Sequence, residues 1–120
     1  MAVRALRGAI QVDENSRDAI LDGTTELIKA VMHRNSMTPD DLISVVFTAT
    51  PDLDAEFPAY AARLLGFTDV PLLCTTEIGV PGAMPRVLRL MAHVETETPR
   101  AGLHHVYLRG AAALRRDLPQ

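Results

Sequence analysis

Four polar side chains interrupt apolar stretches of this 120-residue chain, at positions where folding alone favours hydrocarbon. Arg7 ends a mostly apolar run, Glu77 follows another, and Arg89 and Tyr107 each stand between apolar neighbours. A charge removed from water without a partner is costly, so such residues are usually paired or face a polar cavity. Two guanidinium groups, a carboxylate and a phenol suggest a small anionic ligand held by a rigid scaffold. A structural ion pair of Arg7 or Arg89 with Glu77 explains the residues equally well.

The composition indicates one globular domain over residues 1–120, with a hydrophobic content of 48% and a charged content of 22%. A net charge of −3 and the lack of a basic stripe argue against a nucleic-acid binder. No run approaches the roughly 20 apolar residues that span a membrane, and the N-terminus lacks a secretory signal pattern. The single cysteine, Cys74, is compatible with a reducing compartment. We therefore expect a cytoplasmic protein without a membrane association.

Hydrophobic periodicity and turn signals predict five strands and two helices. The strands are expected at 2–12, 42–48, 70–77, 86–95 and 104–108. A long helix should begin after a cap at Asn15 or Ser16 and run to about Asn35, and a short one should run from Pro58 to about Leu65. A helical turn is expected at 38–41, and a short C-terminal turn in the tail 114–120. This order predicts the α/β (α+β) class, with a mixed five-stranded sheet packed on one long helix.

The predicted layers leave one sheet face without a cover. The long helix presents an apolar face to one side of the sheet, made of Ile20, Leu27, Ile28 and Val31 with Thr24 between them. The strands nevertheless carry apolar side chains on both faces, as Val46 between Val45 and Phe47 illustrates. A second apolar sheet face in a small chain is usually buried against another subunit. We therefore expect a homo-oligomer, which makes sites between subunits plausible.

Five segments of the chain follow a known pattern in the same order and with near-constant spacing. They are Arg4-Ala5-Leu6-Arg7-Gly8-Ala9, Ser44–Pro58, Cys74-Thr75-Thr76-Glu77, Arg89-Leu90-Met91 and His105-Val106-Tyr107-Leu108. Together they resemble the small monofunctional chorismate mutases of the trimeric α/β-barrel type, from residue 1 to about Pro119. The resemblance implies the Claisen rearrangement of chorismate to prephenate in phenylalanine and tyrosine biosynthesis, with no cofactor and no metal. It also implies a homotrimer that forms a pseudo α/β barrel, with active sites in the clefts between subunits.

The resemblance also implies a role for each matching residue. Arg89 matches the arginine near the substrate ether oxygen, and Arg7 and Tyr107 match residues that hold a substrate carboxylate. Glu77 matches the acceptor for the ring hydroxyl, with Cys74 beside it on the same strand. The other implied substrate contacts are Phe57 and Arg63 across the subunit boundary, Leu114 and Arg115 at the pocket mouth, and Leu73, Thr75 and Thr76 next to Cys74 and Glu77.

Two positions depart from the family pattern. Tyr60 stands where the family can carry a lysine near the pocket entrance, so one attractive charge is missing there. Leu73 stands where a smaller polar residue can occur. These differences concern affinity and closure of the pocket more than the type of reaction.

Other interpretations concern individual residues and the whole function. Cys74 has no evident histidine partner, so it is better explained as a small buried side chain than as a nucleophile. His104 and His105 should point to opposite faces of a strand, which argues against joint metal ligation. Two alternative functions are a trimeric enamine or imine deaminase of similar architecture, and a non-catalytic binder of aromatic-pathway metabolites.

Overall fold

A computed structural model of the protein describes residues 1–115. The strands are β1 (Ala2–Gln11), β2 (Leu42–Ala49), β3 (Leu72–Thr76), β4 (Val87–Thr96) and β5 (Val106–Leu108). The α-helices are α1 (Arg17–Arg34) and α2 (Pro58–Leu64), and short 3-10 segments lie at Pro39–Asp41, Arg100–Gly102 and Arg109–Arg115. This element order is the predicted one, except that the sequence patterns did not indicate the 3-10 segment Arg100–Gly102 and that the predicted terminal turn begins earlier, at Arg109.

The five strands form one mixed sheet in the order β3-β2-β4-β1-β5. β4 lies near the centre and pairs antiparallel with both β1 and β2. The outer strands β3 and β5 pair parallel with β2 and β1. The predicted mixed five-stranded sheet is therefore confirmed.

The first helix begins and ends where its capping residues predict. The Ser16 hydroxyl accepts a hydrogen bond from the Ala19 amide at 3.1 Å, and Asn35 is the C-cap residue. The predicted apolar face is buried against the sheet, including the Thr24 hydroxyl, which donates to the Ile20 carbonyl at 2.7 Å. The helical layer also contains α2, which packs beside α1 over β2 and β3.

A glycine in β1 allows α1 to lie close to the sheet. A Cβ atom at Gly8 would lie 3.0 Å from Leu27 Cδ1 and 3.1 Å from Val31 Cγ2. Gly8 is therefore a point of close approach between β1 and α1. The contact also defines the two faces: Gly8 faces α1, so its neighbours Arg7 and Ala9 face away from it.

Several strand ends differ from the sequence-based expectation by one or two residues. The fourth strand begins at Val87 because Arg86 has a φ of 55°, which a strand does not accommodate. The third strand covers Leu72–Thr76 instead of 70–77, although the Glu77 amide still bonds the Ala49 carbonyl at 2.9 Å. The last strand starts at Val106 instead of residue 104, because the His104 amide donates to Asn35 outside the sheet and His105 accepts the Arg7 amide through its side chain instead of its backbone.

The predicted terminal turn is part of a longer structure. Residues Arg109–Arg115 form a 3-10 segment that follows β5 directly and contacts β1. Leu114 and Arg115 lie at its end, and the remainder of the predicted tail, 116–120, lies outside the described residues. No helix among residues 1–115 is both long and apolar enough to cross a membrane.

The sheet face opposite α1 is open in the single chain over much of its area. One row of paired residues on this face consists of Arg7, Met91, Val46 and Leu73. Met91 is 40% exposed, Leu73 is 62% exposed, and Val3 on the same face is 60% exposed. Apolar side chains therefore lie uncovered beside the charged ones on this face, which is called the open face below.

Gly23 provides a test of how tightly α1 packs on β1. Alanine normally favours a helix over glycine by about 1 kcal/mol. A Cβ atom at Gly23 would, however, lie 2.4 Å from Val12 Cγ1, and Val12 is fully buried. Overpacking typically costs about 1–3 kcal/mol, so Gly23→Ala should lower the free energy of unfolding measured with urea. Val12→Ala together with Gly23→Ala should be less unstable than the sum of both single changes predicts. Unchanged or increased stability of Gly23→Ala would contradict this packing.

Candidate active site

The strand registers place five residues in one row across the whole sheet. Tyr107 pairs with Ala9, Ala9 with Arg89, Arg89 with Thr48, and Thr48 with Thr75. Paired residues of neighbouring strands project to the same face, so all five lie on the open face. The row brings Arg89 and Tyr107 together, although they come from different strands and are separated by β1.

Arg89, in the middle of this row, forms an ion pair with Glu77, which follows β3. The Arg89 Nε donates to both carboxylate oxygens of Glu77, at 3.2 and 3.1 Å. The Thr48 hydroxyl donates to Glu77 Oε2 at 2.6 Å, which fixes the carboxylate from a second side. The side chain of Arg89 is 43% exposed and that of Glu77 is 17% exposed. The structural ion pair and the ligand-binding site that the sequence suggested therefore both involve Arg89, because it is paired with Glu77 and its guanidinium still reaches solvent.

The ion pair leaves part of the arginine for another partner. Both bonds to Glu77 use Nε, and within residues 1–115 the two Nη groups of Arg89 make no hydrogen bond. A guanidinium presents its donors in a fixed planar fork. Glu77 therefore sets the orientation in which Arg89 presents these free donors to the open face.

Arg7 lies diagonally from Arg89 on the neighbouring strand. It pairs with Met91, two residues beyond Arg89, and diagonal neighbours in a sheet are about 7–8 Å apart. Its amide donates to His105 Nδ1 at 3.0 Å, which extends the β1–β5 ladder by one bond through a side chain. Both arginines therefore reach the same region of the open face, but Arg7 is not the partner of Glu77.

Tyr107 lies under the 3-10 segment that follows β5. It is 5% exposed and packs with Ala9, Val87 and Ala111 in a small apolar cluster, against which Leu114 also packs. This cluster lies on the open face, separate from the main core under α1. The C-terminal segment therefore covers the β1–β5 end of the open face, next to the row that contains Arg89.

One cleft of about 370 Å³ contains the ion pair. Its charged lining residues are Asp52, Glu77 and Arg89, and Leu114 closes one side. The loop between β3 and β4 contributes Ile78 and Val80, which are 87% and 59% exposed. The cleft has two carboxylates and one anchored guanidinium beside apolar walls, so a small anionic ligand would bind there through Arg89. We call it the arginine cleft.

A second cleft of about 590 Å³ lies at the β3 edge of the sheet, between α2 and β3. It is lined by Arg17, Glu56, Phe57, Ala59, Tyr60, Arg63, Leu72, Leu73 and Cys74. Phe57 and Leu73 are 70% and 62% exposed, so two large apolar side chains border it without a cover. We call it the edge cleft.

Cys74 caps the start of α2 from the floor of the edge cleft. Its Sγ accepts a hydrogen bond from the Ala59 amide at 3.3 Å. Burial raises the pKa of the Cys74 thiol, and this effect exceeds the opposing effects of the Ala59 amide and the Arg63 charge. The thiol is therefore protonated at neutral pH, which agrees with a structural or binding role and not with a nucleophile.

The predicted site residues therefore fall into two groups. Arg89, Glu77, Arg7, Tyr107, Leu114 and Arg115 belong to the arginine cleft and the adjoining part of the open face. Phe57, Arg63, Leu73 and Cys74 line the edge cleft. Thr75 and Thr76 are exposed on β3 between the two groups. One chain thus does not enclose all of these residues in a single cavity.

Sequence reasoning missed three residues that hold the site together. Thr48 positions Glu77, His105 accepts the amide of Arg7, and Glu56 pairs with Arg17 at 3.1 Å in the edge cleft. Each partner is distant in sequence, so periodicity and local motifs do not indicate the contact. Within residues 1–115 there is no group of three or more His, Cys, Asp and Glu side chains that could hold a metal ion.

Comparison with known proteins identifies the family. The model of the family "Chorismate mutase type I" matches residues 3–118. The chain is 46% identical over 117 residues to chorismate mutase AroH of Thermus thermophilus, with 97% of this chain and 96% of that protein covered. It is 38% identical over 119 residues to chorismate mutase AroH of Bacillus subtilis (strain 168), with 98% and 94% covered.

A solved structure agrees with the sequence comparisons. The chorismate mutase of Clostridium thermocellum superposes with a TM-score of 0.91 at 44% identity, covering 92% of this chain and 98% of that one. The α+β fold, with Arg7 and Arg89 on the open face of its mixed sheet, is thus the fold of a family of isomerases. The chain belongs to the type I chorismate mutases. This confirms the resemblance and its implied reaction class, and it decides against the deaminase alternative.

His105 makes the stability of this region depend on pH. Burial lowers the pKa of His105 below 6.5, and the nearby positive charges of Arg7, Arg115 and His104 lower it further. The folded state therefore binds fewer protons at this residue than the unfolded state, so its stability should fall as the pH drops through 6.5. Protonation would also remove the acceptor for the Arg7 amide.

Replacing His105 with asparagine tests this dependence. In His105→Asn the side-chain oxygen can still accept from the Arg7 amide, but it does not titrate. We expect the melting temperature of the wild type to fall more steeply between pH 7 and 5 than that of His105→Asn. An exposed histidine on α1 provides a control, since His33→Asn should keep the wild-type slope. Equal slopes for all three proteins would refute the assignment to His105.

Proposed function

We propose that the chain forms one cytoplasmic domain that converts chorismate to prephenate at sites shared between the subunits of a homotrimer. The observation that carries this proposal is the division of the site residues between two separate clefts, one between α2 and β3 and one that contains the Arg89–Glu77 pair. The edge cleft of one subunit placed against the arginine cleft of the next would enclose all of them. The single free cysteine supports a reducing compartment.

In this proposal Arg89 stabilises the charge that develops during the reaction. The ether oxygen of chorismate gains negative charge as its bond to carbon breaks, and a cation already in place stabilises the transition state more than the ground state. The bonds from Arg89 Nε to Glu77 support this role, because they hold the guanidinium without using its Nη donors. Little reorganisation is then needed when the substrate binds.

The other residues of the arginine cleft would hold the substrate in its reactive shape. Arg7 precedes Ala9 by two residues on β1 and Tyr107 pairs with Ala9 from β5, so the two are neighbours on the open face and can reach one substrate carboxylate. Glu77 accepts a hydrogen bond from the ring hydroxyl of the substrate. It does not act as a base, since the rearrangement transfers no proton. Holding the two reacting ends together can supply several kcal/mol of the lowered barrier, up to about 7–11 kcal/mol in favourable cases.

The edge cleft of the neighbouring subunit would close the site. Phe57 and Leu73 supply apolar cover, and Arg63 supplies a cation for the second carboxylate of the substrate. Cys74 lies on the floor beside Arg63, and Thr75 and Thr76 continue along the same strand. Leu114 and Arg115 would close the mouth from the C-terminal segment, and excluding water there strengthens each charge interaction.

Substitution of Arg89 tests the catalytic role. Arg89→Ala should lower kcat by about a hundred- to a thousand-fold, the usual effect of losing an oxyanion donor, or by more because the donor is charged. Arg89→Lys should also be poor, because an ammonium group does not reproduce the planar fork. Loss of chorismate absorbance measures both, and Arg100→Ala at an exposed position serves as the control. Near-normal turnover by Arg89→Ala would exclude Arg89 from the mechanism.

Light scattering tests the trimer. The chain mass is 13.1 kDa, so the trimer should have a mass of about 39 kDa. Met91→Glu places a charge among the exposed apolar side chains of the open face and should lower both the particle mass and the activity. Lys29→Gln changes the net charge equally on the exposed side of α1 and should change neither. A stable, fully active monomer would contradict the shared site.

A further inference from the structure

The edge cleft contains a cation that the family pattern does not account for. Arg17 is the first residue of α1, and its Nε donates to Glu56 Oε2 at 3.1 Å. Its Cζ lies 5.6 Å from the centre of the Tyr60 ring, within the range of a cation–π contact. Arg17, Glu56 and Tyr60 all line the cleft that also contains Arg63. Tyr60, which stands where the family can carry a lysine, therefore contacts a different cation, the guanidinium of Arg17, with its ring.

The position of Arg17 is fixed from both sides of the cleft. Asn15 donates to Asp54 Oδ1 at 2.7 Å and accepts from the amides of Asp54 and Ala55, both at 3.1 Å. These bonds join the start of α1 to the segment before α2. Glu56 is further oriented by the Phe57 amide, which donates to its Oε1 at 2.8 Å. The guanidinium is thus held at a defined place, although its side chain is 55% exposed.

Helix stability does not explain an arginine at this position. The N-terminus of a helix carries a partial positive charge, which favours acidic residues and disfavours a cation. An exposed ion pair such as Arg17–Glu56 contributes little to stability. Within residues 1–115 the only side-chain hydrogen bond of Arg17 uses Nε, so its Nη groups are available to a ligand.

The charge of the edge cleft depends on Arg17. Its charged lining residues are Arg17, Arg63 and Glu56, which give a net charge of +1. Without Arg17 the net charge would be zero, on a chain whose total charge is −3. A dianionic ligand approaching an acidic protein needs a local positive field to be drawn into a cleft.

We propose that Arg17, held by Glu56 and stacked on Tyr60, replaces the missing lysine and draws the dicarboxylate substrate into the active site. This inference rests on the proposed assignment of the edge cleft to the substrate site. Arg17 acts on capture and binding of the substrate, while Arg89 acts on the bond that breaks. Its loss therefore affects kcat/KM and leaves kcat much less changed.

Three variants test the proposal. Arg17→Gln should lower kcat/KM by about tenfold at low ionic strength, at the lower end of the effect of electrostatic steering, and the loss should shrink as salt is added. Arg34→Gln removes the same charge at the other end of α1, about 25 Å away along the helix, and should leave kcat/KM at the wild-type value. Arg17→Gln combined with Tyr60→Lys should recover most of the lost kcat/KM.

The measurements separate this inference from the proposed function. Prephenate affinity measured by calorimetry should fall in Arg17→Gln by a factor similar to kcat/KM, with an unchanged melting temperature. If the wild type binds prephenate but does not convert chorismate, the proposed function is wrong, and the affinities still test Arg17. If Arg17→Gln and Arg34→Gln show the same kcat/KM and the same affinity at every salt concentration, Arg17 has no role in substrate capture. If Tyr60→Lys does not restore kcat/KM in the Arg17→Gln variant, Arg17 does not take the place of the lysine.

Discussion

The pairing of β4 with both β1 and β2 is the constraint on which the rest of the structure depends. Because β4 is paired on both sides, its register fixes which residues of three strands project together. A shift by one residue would turn Arg89 into the core and Leu88 or Leu90 onto the open face. Burial of these leucines under α1 therefore determines where the guanidinium lies. The position of Arg89 and Thr48 on the open face is thus a consequence of the apolar core.

The ion pair of Arg89 and Glu77 shows how a structural contact and a binding site coincide. A fully buried ion pair would have to offset a large desolvation cost, whereas here the arginine is 43% exposed. The contact therefore adds little to stability but restricts the orientation of the guanidinium. Thr48 adds a neutral donor to the carboxylate, so the anion is held without a second cation. This arrangement favours a ligand that brings its own negative charge.

The architecture could be predicted well from the sequence because its signals are local. The Ser16 cap, the apolar face of α1 and the proline at the start of α2 all lie within the elements that they define. The strand ends at Arg86 and His105 could not be predicted, since they depend on contacts formed only after folding. The end of the third strand differs by a few residues, as expected for an edge strand.

The site was predicted less completely, and for a related reason. Types and spacing identified Arg7, Glu77, Arg89 and Tyr107 as unusual, but left open which arginine pairs with the carboxylate. That choice follows from the strand order, which places β4 nearer to β3 than β1, and Thr48, which fixes the carboxylate, carries no signal of its own in the sequence. The role of Arg17 could not be predicted either, because the loop that holds it begins almost 40 residues later. In the proposed trimer, cations from two rigid surfaces would then meet one flexible dianion. Its folded conformer is held by fixed charges on both sides, so the enzyme needs no group that reacts covalently or transfers a proton.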